Sequence, residues 1–551
     1  MNNKKNDSSP QNASIQPSQP KNPFAYKAFA VLWIATVLSN IGTWMHDVGA
    51  GWLMTSLSNS SPTWVSLTQA ATALPVFLLA LPSGALADIL NRKHMLLAVQ
   101  STLVFVALGL GITVALGITT PLLLLVFTFF MGVGAAITSP VWQAIVPSLV
   151  SRPALQQAVA INSVGVNISR AIGPVLAVII IGAAGSAAPF FVNALSYVVV
   201  VVALLWWRPP AAPEHHLPPE QLPGAIQAGL RYAFHSDLLK APLIKAAGFF
   251  IFASAYWALL PLIAREVLQG SVNLYGILLG CIGVGAVCAA FLLPVLRKKL
   301  TPDNLLVVGT VGTVLTMCVF ALVKHTYVVG AFCFIAGASW IIVLTSLNTA
   351  VQISLPDWVR ARGLSIFVMV FFGSQTLGSI TWGQVASHTS IPVALLIASA
   401  GAIFAMFLTY RFKLPQDDSA NLSPSMHWPS PLVNTDIEID RGPVLVTIEY
   451  QIDPAQAAPF VSTMYQLHKE RLRDGAYAWG IFEDTTQSGR YLEYFIVASW
   501  AEHLRQHERV TEHDRDIQAA ALNYHIGKEP PAVTHFLAPD ISASEATPKI
   551  N

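Results

Sequence analysis

The chain has 551 residues, of which 54% are hydrophobic and only 11% charged, and its mean hydropathy is +0.56. A soluble globular protein carries about 25% charged residues, so a wholly water-soluble fold is excluded for most of this length. The net charge of +2 is too small for nucleic-acid recognition, and no nucleic-acid partner is expected.

The first residues, 1–23, are polar and rich in Pro, Ser and Gln, which predicts a disordered lead and not a cleavable signal peptide. Windows of about 20 apolar residues mark membrane-spanning helices. Twelve are read, at 29–53, 63–87, 95–117, 121–145, 156–183, 187–207, 241–265, 273–296, 304–324, 327–352, 363–388 and 391–412. Interior Gly and Pro are compatible with them where neighbouring helices cover the backbone. All four cysteines, Cys281, Cys288, Cys318 and Cys333, lie in apolar runs without metal or disulfide spacing, so free thiols are expected.

The loops set the orientation. With the N-terminus inside, the even-numbered loops hold Arg92 and Lys93; Arg152; Arg208, Arg231 and Lys240; Arg297, Lys298 and Lys299; Arg360 and Arg362. Near the outer face only Arg265 and Lys324 are found. This bias places both termini in the cytoplasm. The stretches 140–152 and 349–360 bring Gln143 over Gln352 and Pro147 over Pro356, each Pro read as opening a basic loop. That offset lays spans 4 and 5 on spans 10 and 11, giving a six-helix half at 24–207 and a parallel one at 241–414.

Between the halves, 208–240 is Pro- and His-rich and then amphipathic, with Ile226, Leu230 and Phe234 on one face of a short interfacial helix. His215 and His216 read as solvated linker residues. A second linker spans 415–435. Residues 436–540 change to a soluble pattern: strands at 444–452, 476–484, 491–499 and 532–537, and helices at 454–473 and 501–524. The order βαββαβ is ferredoxin-like. The open sheet is expected to close by pairing two copies into a homodimer, and 541–551 is read as a disordered end.

Two membrane-length segments meet in a tight turn with the spacing Gly84, Leu86, Asp88, Arg92, Lys93. This resembles the signature loop between helices 2 and 3 of the major facilitator superfamily, with Asn91 where Gly is common. Residues 39–54, 81–88 and 168–174, with 473–480 and 499–511 in the tail, resemble the superfamily's transmembrane secretion effectors, a branch whose relatives include the enterobactin exporter. The likeness covers roughly 24–530. It implies an all-α membrane protein with the 12-helix major facilitator fold, six plus six helices in pseudo-symmetric halves, followed by a small α+β cytoplasmic domain. It further implies that Asp88, backed by Gly84, Arg92 and Lys93, acts as a gating switch facing the start of helix 11. The equivalent loop of the second half has Arg297, Lys298 and Lys299 but no counterpart of Asp88. Gly173 and Pro174 resemble a shortened form of the helix-5 motif of antiporters, which favours export.

Ionisable groups inside spans are costly and therefore functional candidates. Asp47 and His46 in span 1 could carry protons, the alternative being a hydrated structural Asp47. Arg170, mid-span beside Asn162 and Asn167, either binds an anion, pairs with Asp47, or snorkels to an interface. Gln143, Asn348, Gln352, Gln375 and Gln384 could hydrogen-bond cargo, with Trp44, Trp142, Trp340 and Trp382 stacking on it; helix–helix contacts explain such residues equally well. In the tail, His503, His507 and His513 read as a solvated face and not a metal site.

The expected function is a secondary active transporter, a proton-coupled exporter of a small amphipathic molecule such as a siderophore, drug or secondary metabolite. Expected partners are this cargo, protons and the lipid bilayer of a bacterial inner membrane. No cofactor and no enzyme activity are expected, and no nucleotide-binding G-x-x-x-x-G-K-[ST] loop occurs. Import stays open. So does a tail that senses ligand, or one active like the small cofactor-free monooxygenases whose fold it resembles.

Overall fold

The computed structural model describes residues 22–59, 61–208, 222–416, 421–428, 438 and 440–539. His215 and His216 lie outside them. Among the described residues, twelve helices are long and apolar enough to cross a membrane. The first half contains α1 (Lys27–Leu57), α2 (Pro62–Ile89), α3 (Arg92–Ala115), α4 (Pro121–Leu149), α5 (Arg152–Ala184) and α6 (Ala188–Trp206). A bridge helix, α7 (Leu222–His235), leads to α8 (Asp237–Leu262), α9 (Val272–Arg297), α10 (Pro302–Leu322), α11 (Thr326–Ile353), α12 (Arg360–His388) and α13 (Ile391–Leu408). One π-turn, Ile263–Val267, prolongs α8.

Local chemistry starts these helices where the sequence allows it. Pro stands in the first turn of α2, α4 and α10, where its missing N–H costs nothing. Thr120 and Thr301 cap α4 and α10 by accepting from Leu123 N at 3.2 Å and Asn304 N at 3.3 Å. Asn91 does the same for α3, accepting from Lys93 N and His94 N at 3.1 and 3.2 Å. The departure from Gly in the signature loop is therefore a helix cap.

Several helices outrun their apolar windows. Helix α4 continues to Leu149 with Pro147 inside it, whereas Pro356 lies beyond the end of α11, so the two prolines do not play equivalent parts. The last span stops at Leu408, short of 412. Bridge helix α7 forms as read, but Phe234 is 69% exposed and the packed face carries Ala228, Tyr232 and Ala233.

The two halves meet where α2 packs along α12 and α5 along α9. Helix ends on the side of the termini and on the far side differ in what joins the halves. On the far side, Arg265 donates to Thr55 Oγ1 at 2.7 Å and Ser56 Oγ at 2.6 Å. Nearby, Trp52 stacks on Tyr275 at 6.0 Å, and the Thr63 and Ser387 hydroxyls meet at 2.6 Å. Helix α9 presses on α5 through glycines: a Cβ on Gly276 would fall into the Val178 side chain, and one on Gly283 would lie 3.0 Å from Ala171 Cα.

The tail is a four-stranded antiparallel sheet, β1 (Val444–Gln451), β2 (Ala476–Glu483), β3 (Arg490–Val497) and β4 (Ala532–Leu537), in the order β2-β3-β1-β4. With α14 (Ala457–Asp474) this is the ferredoxin-like arrangement. The helix expected over 501–524 is two, α15 (Trp500–Arg509) and α16 (Glu512–Leu522), because Thr511 and Asp514 form a capping box that starts a new helix. One sheet face packs on Phe460, Met464 and Leu467 of α14; the other presents Phe482 and Phe536, each more than half exposed.

Inside the tail, Glu493 is fully buried and fully used: it accepts from Arg471 Nε at 3.0 Å, Trp479 Nε1 at 3.0 Å and Tyr450 OH at 3.1 Å. His503 and His507 are not on a solvated face. Their Nε2 atoms lie 3.3 Å apart, and the ring of His535 sits 4.7 Å from that of His503. Among the described residues no set of three His, Cys, Asp or Glu is arranged to hold a metal. Burial, and then the neighbouring His535, lower His503 to about 3, and burial and His535 lower His507 to about 4.

Glu470 is 6% exposed with both carboxyl oxygens lacking a hydrogen-bond partner. Burial, with Asp514 beside it, pushes its pKa from the usual 4.5 up to about 9. A raised carboxyl stabilises the fold fully below 4.5, and that contribution is lost as pH climbs toward 9. Protonating Glu470 at neutral pH costs about 3 kcal/mol. Glu470→Gln is therefore expected to raise tail stability at neutral pH and flatten its alkaline decline, read by thermal unfolding against pH. The acid-side loss, from histidines held below 6.5, should remain in that variant.

Candidate functional site

The candidate polar residues come from α1 and α5 of the first half and from α8 and α9 of the second. Arg170 on α5 lies with its guanidinium carbon 5.5 Å from the ring centroid of Trp44 on α1, and its Nε lacks a hydrogen-bond partner. A cation over an indole face is a favourable pairing. Gly173, one turn on, lets α5 close onto α1, since a Cβ there would overlap Trp44. Across the division, Tyr256 on α8 is fully buried, its hydroxyl unpartnered, and close enough to Arg170 to feel its charge. Asp47, on the next turn of α1 from Trp44, is partly exposed and lies within electrostatic reach of Tyr275 on α9. Among the described residues no ion pair joins Asp47 to Arg170.

The other predicted residues are placed as follows. His46 is buried in the first half against Phe190, at 5.1 Å, with neither ring nitrogen partnered. Trp142 donates to Asn162 Oδ1 at 3.1 Å, and Asn167 donates to Ser163 O at 2.9 Å, so both asparagines are engaged within the first half. Asn348 and Gln352 bond to each other. Gln143 and Gln384 are exposed; Gln375 is buried with its Oε1 unpartnered. Trp382 donates to Ile251 O at 2.8 Å. Trp340 is enclosed by aromatic rings, among them Phe250 at 5.2 Å and Trp257 at 5.4 Å. The structure thus sets Arg170 with Trp44 and Tyr256, places Asp47 apart from them within reach of Tyr275 and Tyr197, and leaves the amides dispersed.

In the signature loop, Asp88 lies in the last turn of α2; its side chain is outside the described residues. Arg92 Nη1 donates to Ala144 O at 3.0 Å and Lys93 Nζ to Trp207 O, binding the loop to α4 and to the end of α6. Gly84 lies opposite Ser365 of α12 at van der Waals distance.

Sequence reasoning missed two features. Tyr256 and Tyr275 were hidden in apolar runs, where a tyrosine signals little by itself. The tail's attachment was also missed. Arg231 of α7 donates to Glu502 of α15 at 2.8 Å, and Arg509 donates to the same carboxylate at 2.6 Å. Tyr232 donates to Ser354 O, at the end of α11, at 2.9 Å, while Arg473 lies over its ring. Arg509 lies over Trp358, in the turn before α12. Bridge helix α7 is held between α14 and α12. Only Arg231 hinted at this, as a cation on the packed side of an amphipathic helix.

A family described as transmembrane secretion effector matches residues 18–543. The chain belongs to the transmembrane secretion effector family. It is a major facilitator transporter, embedded in the membrane by twelve spans. This effector is 24% identical over 391 residues to the staphyloferrin A transporter of Staphylococcus aureus, covering 69% of the chain and 96% of that protein. It is 26% identical over 397 residues to the enterobactin exporter EntS of Citrobacter koseri, covering 70% and 91%. Among solved structures it resembles the nucleoside transporter NupG, with a TM-score of 0.58 at 14% identity over 70% of the chain and 99% of NupG. A bacterial homologue of the human lysosomal transporter Spinster gives 0.57 at 15%, over 71% and 98%. At such identities these structures support the fold alone. The named relatives and neighbours are all transporters.

Proposed function

We propose that this effector is a proton-coupled exporter of a small amphipathic molecule, with siderophores the leading cargo class, working by alternating access in a bacterial inner membrane with both termini in the cytoplasm. The carrying observation is Arg170 set over Trp44 and facing Tyr256 of the other half, with Asp47 one turn along α1 from Trp44 and within reach of Tyr275, all in otherwise apolar spans. A carboxylate and a cation kept apart in one low-dielectric region can exchange a proton against an anionic or polar cargo. The relatives named for enterobactin and staphyloferrin A support the cargo class, and the bias of Lys and Arg in the loops supports the orientation. Asp88 is assigned the gating switch beside Arg92, and Trp44 the stacking surface for cargo.

Inverted vesicles with an imposed pH gradient test this reading against a panel of siderophores and drugs. Wild type should accumulate cargo only with the gradient, and Asp47→Asn should lose at least tenfold of that uptake, about 1.4 kcal/mol of coupling. Gradient-dependent uptake that is unchanged in the variant removes Asp47 from coupling.

A second reading concerns the tail. Its seat on α7 and on the turn before α12 favours a regulatory part over a freely hanging domain. Its half-exposed Phe482 and Phe536 suit self-association into a dimer.

A further inference from the structure

The loop between α9 and α10 occupies the place that the Asp88 loop has in the first half, yet it carries three cations and no acid. We propose that it forms a binding site for a phosphate-bearing anion, supplied by the headgroup of an anionic phospholipid. A cavity of about 420 Å³ opens there, lined by Arg297, Lys298, Lys299, Ser346, Thr349 and Gln416, among others, and among the described residues no carboxylate lines it. Among the described residues none of the three cations has an ion-pair partner.

Among the described residues, the acid that follows this loop is spent elsewhere. Asp303, in the first turn of α10, receives Lys245 Nζ at 2.7 Å and Leu414 N at 3.2 Å. Arg297 is preset by its Nη2, which donates to Thr349 Oγ1 at 2.9 Å and Thr345 O at 3.3 Å, fixing one guanidinium edge and leaving the other to the cavity. Ser346 is 3% exposed, lines the same cavity, and its Oγ has no partner. A buried hydroxyl left unpaired costs about 1–3 kcal/mol, and an oxygen-rich anion relieves that cost. A fixed guanidinium, two flexible ammonium groups and a hydroxyl are the donor set for phosphate.

A lipid source follows from the apolar surface of the helix that ends at Arg297. Phe291, Leu292 and Val295, on the last turns of α9, are 80%, 51% and 51% exposed, an apolar flank along which acyl chains can lie. Basic pockets between spans suit anionic headgroups. In this arrangement the bound phosphate supplies the negative charge that Asp88 supplies in the first half. Pro415 and Gln416, where the chain leaves the last span for the tail, form one wall, so occupancy also ties down the root of the tail.

The test uses the full chain in vesicles of equal parts phosphatidylcholine and phosphatidylglycerol, with retained lipid counted by native mass spectrometry after extraction. Wild type should retain phosphatidylglycerol in preference. Each cation near an anionic surface is worth roughly fivefold, so Lys298→Gln with Lys299→Gln should cut that preference by roughly 25-fold. Ser346→Leu, which fills the cavity and leaves every charge in place, should abolish it; Thr349→Val, nearly isosteric, should weaken it and serves if the leucine variant does not fold. In phosphatidylcholine alone, protection of wild type from thermal unfolding by inorganic phosphate, lost in the double lysine variant, would assign the site to a soluble phosphate compound. Equal retention of the two lipids by wild type together with no phosphate protection overturns the proposal, as does wild-type preference in both cavity variants.

Discussion

Leucine at Gly276 or Gly283 is expected to abolish transport while leaving the protein folded in the membrane. These two glycines let α9 lie against α5 from the far side down to Ala171, next to Arg170. A branched side chain at either position has nowhere to go: Val178 occupies one site and the α5 backbone borders the other. Overpacking of this kind costs about 1–3 kcal/mol, which moves a two-state equilibrium by roughly 5- to 150-fold. Only the conformer with the far side closed bears the cost, because each half keeps its own internal packing. Spin labels at Ser58 and Gln269, on the far-side ends of the two halves, should report a longer mean distance in both variants, with cargo uptake lost in parallel. Unchanged distances and uptake in Gly283→Leu would mean that the far side does not close on this seam.

Glu493→Ala is expected to unfold the tail and leave the twelve spans intact. The carboxylate is wholly buried and holds Arg471, Trp479 and Tyr450 together, while Arg471 itself is sandwiched between Trp428 and Phe495, at 5.1 and 4.8 Å. Removing one partner leaves an uncompensated guanidinium in a dry core, at about 3–5 kcal/mol. A domain is stable by about 5–15 kcal/mol; a small one lies toward the low end, where this loss, with the Trp479 and Tyr450 hydrogen bonds added, takes up the margin. Limited proteolysis of the full chain should release the tail in the variant and spare it in wild type. Glu493→Gln, which keeps the hydrogen bonds and loses the charge, should fall between the two.

The architecture was legible because bilayer-length apolar windows and loop cations are dense, redundant signals, and the tail's strand and helix pattern yields the observed sheet order. The break at Val510 was readable in principle, since Thr511 and Asp514 have the spacing of a capping box. What stayed hidden depends on three-dimensional juxtaposition. His503, His507 and His535 belong to a helix and a strand whose polarity suggests exposure, and only the packing of α15 against β4 buries them. Periodicity puts Ile226, Leu230 and Phe234 on one apolar face of α7, but it carries no sign of α12 and α14, which pack on Ala228, Tyr232 and Ala233 instead. In the site, Asp47 and Arg170 stand out as charges in oil, whereas Tyr256 and Tyr275 complete it from runs in which nothing distinguishes them. Arg265 was visible as an unexplained far-side cation, and its role is to join the halves through Thr55 and Ser56.

The seat of α7 makes the two halves mechanically unequal. The strap that ought to let them swing alike is riveted to one of them, through Tyr232 to the end of α11 and through Arg231 to the tail. The second half with its tail is then the stator and the first half the rotor.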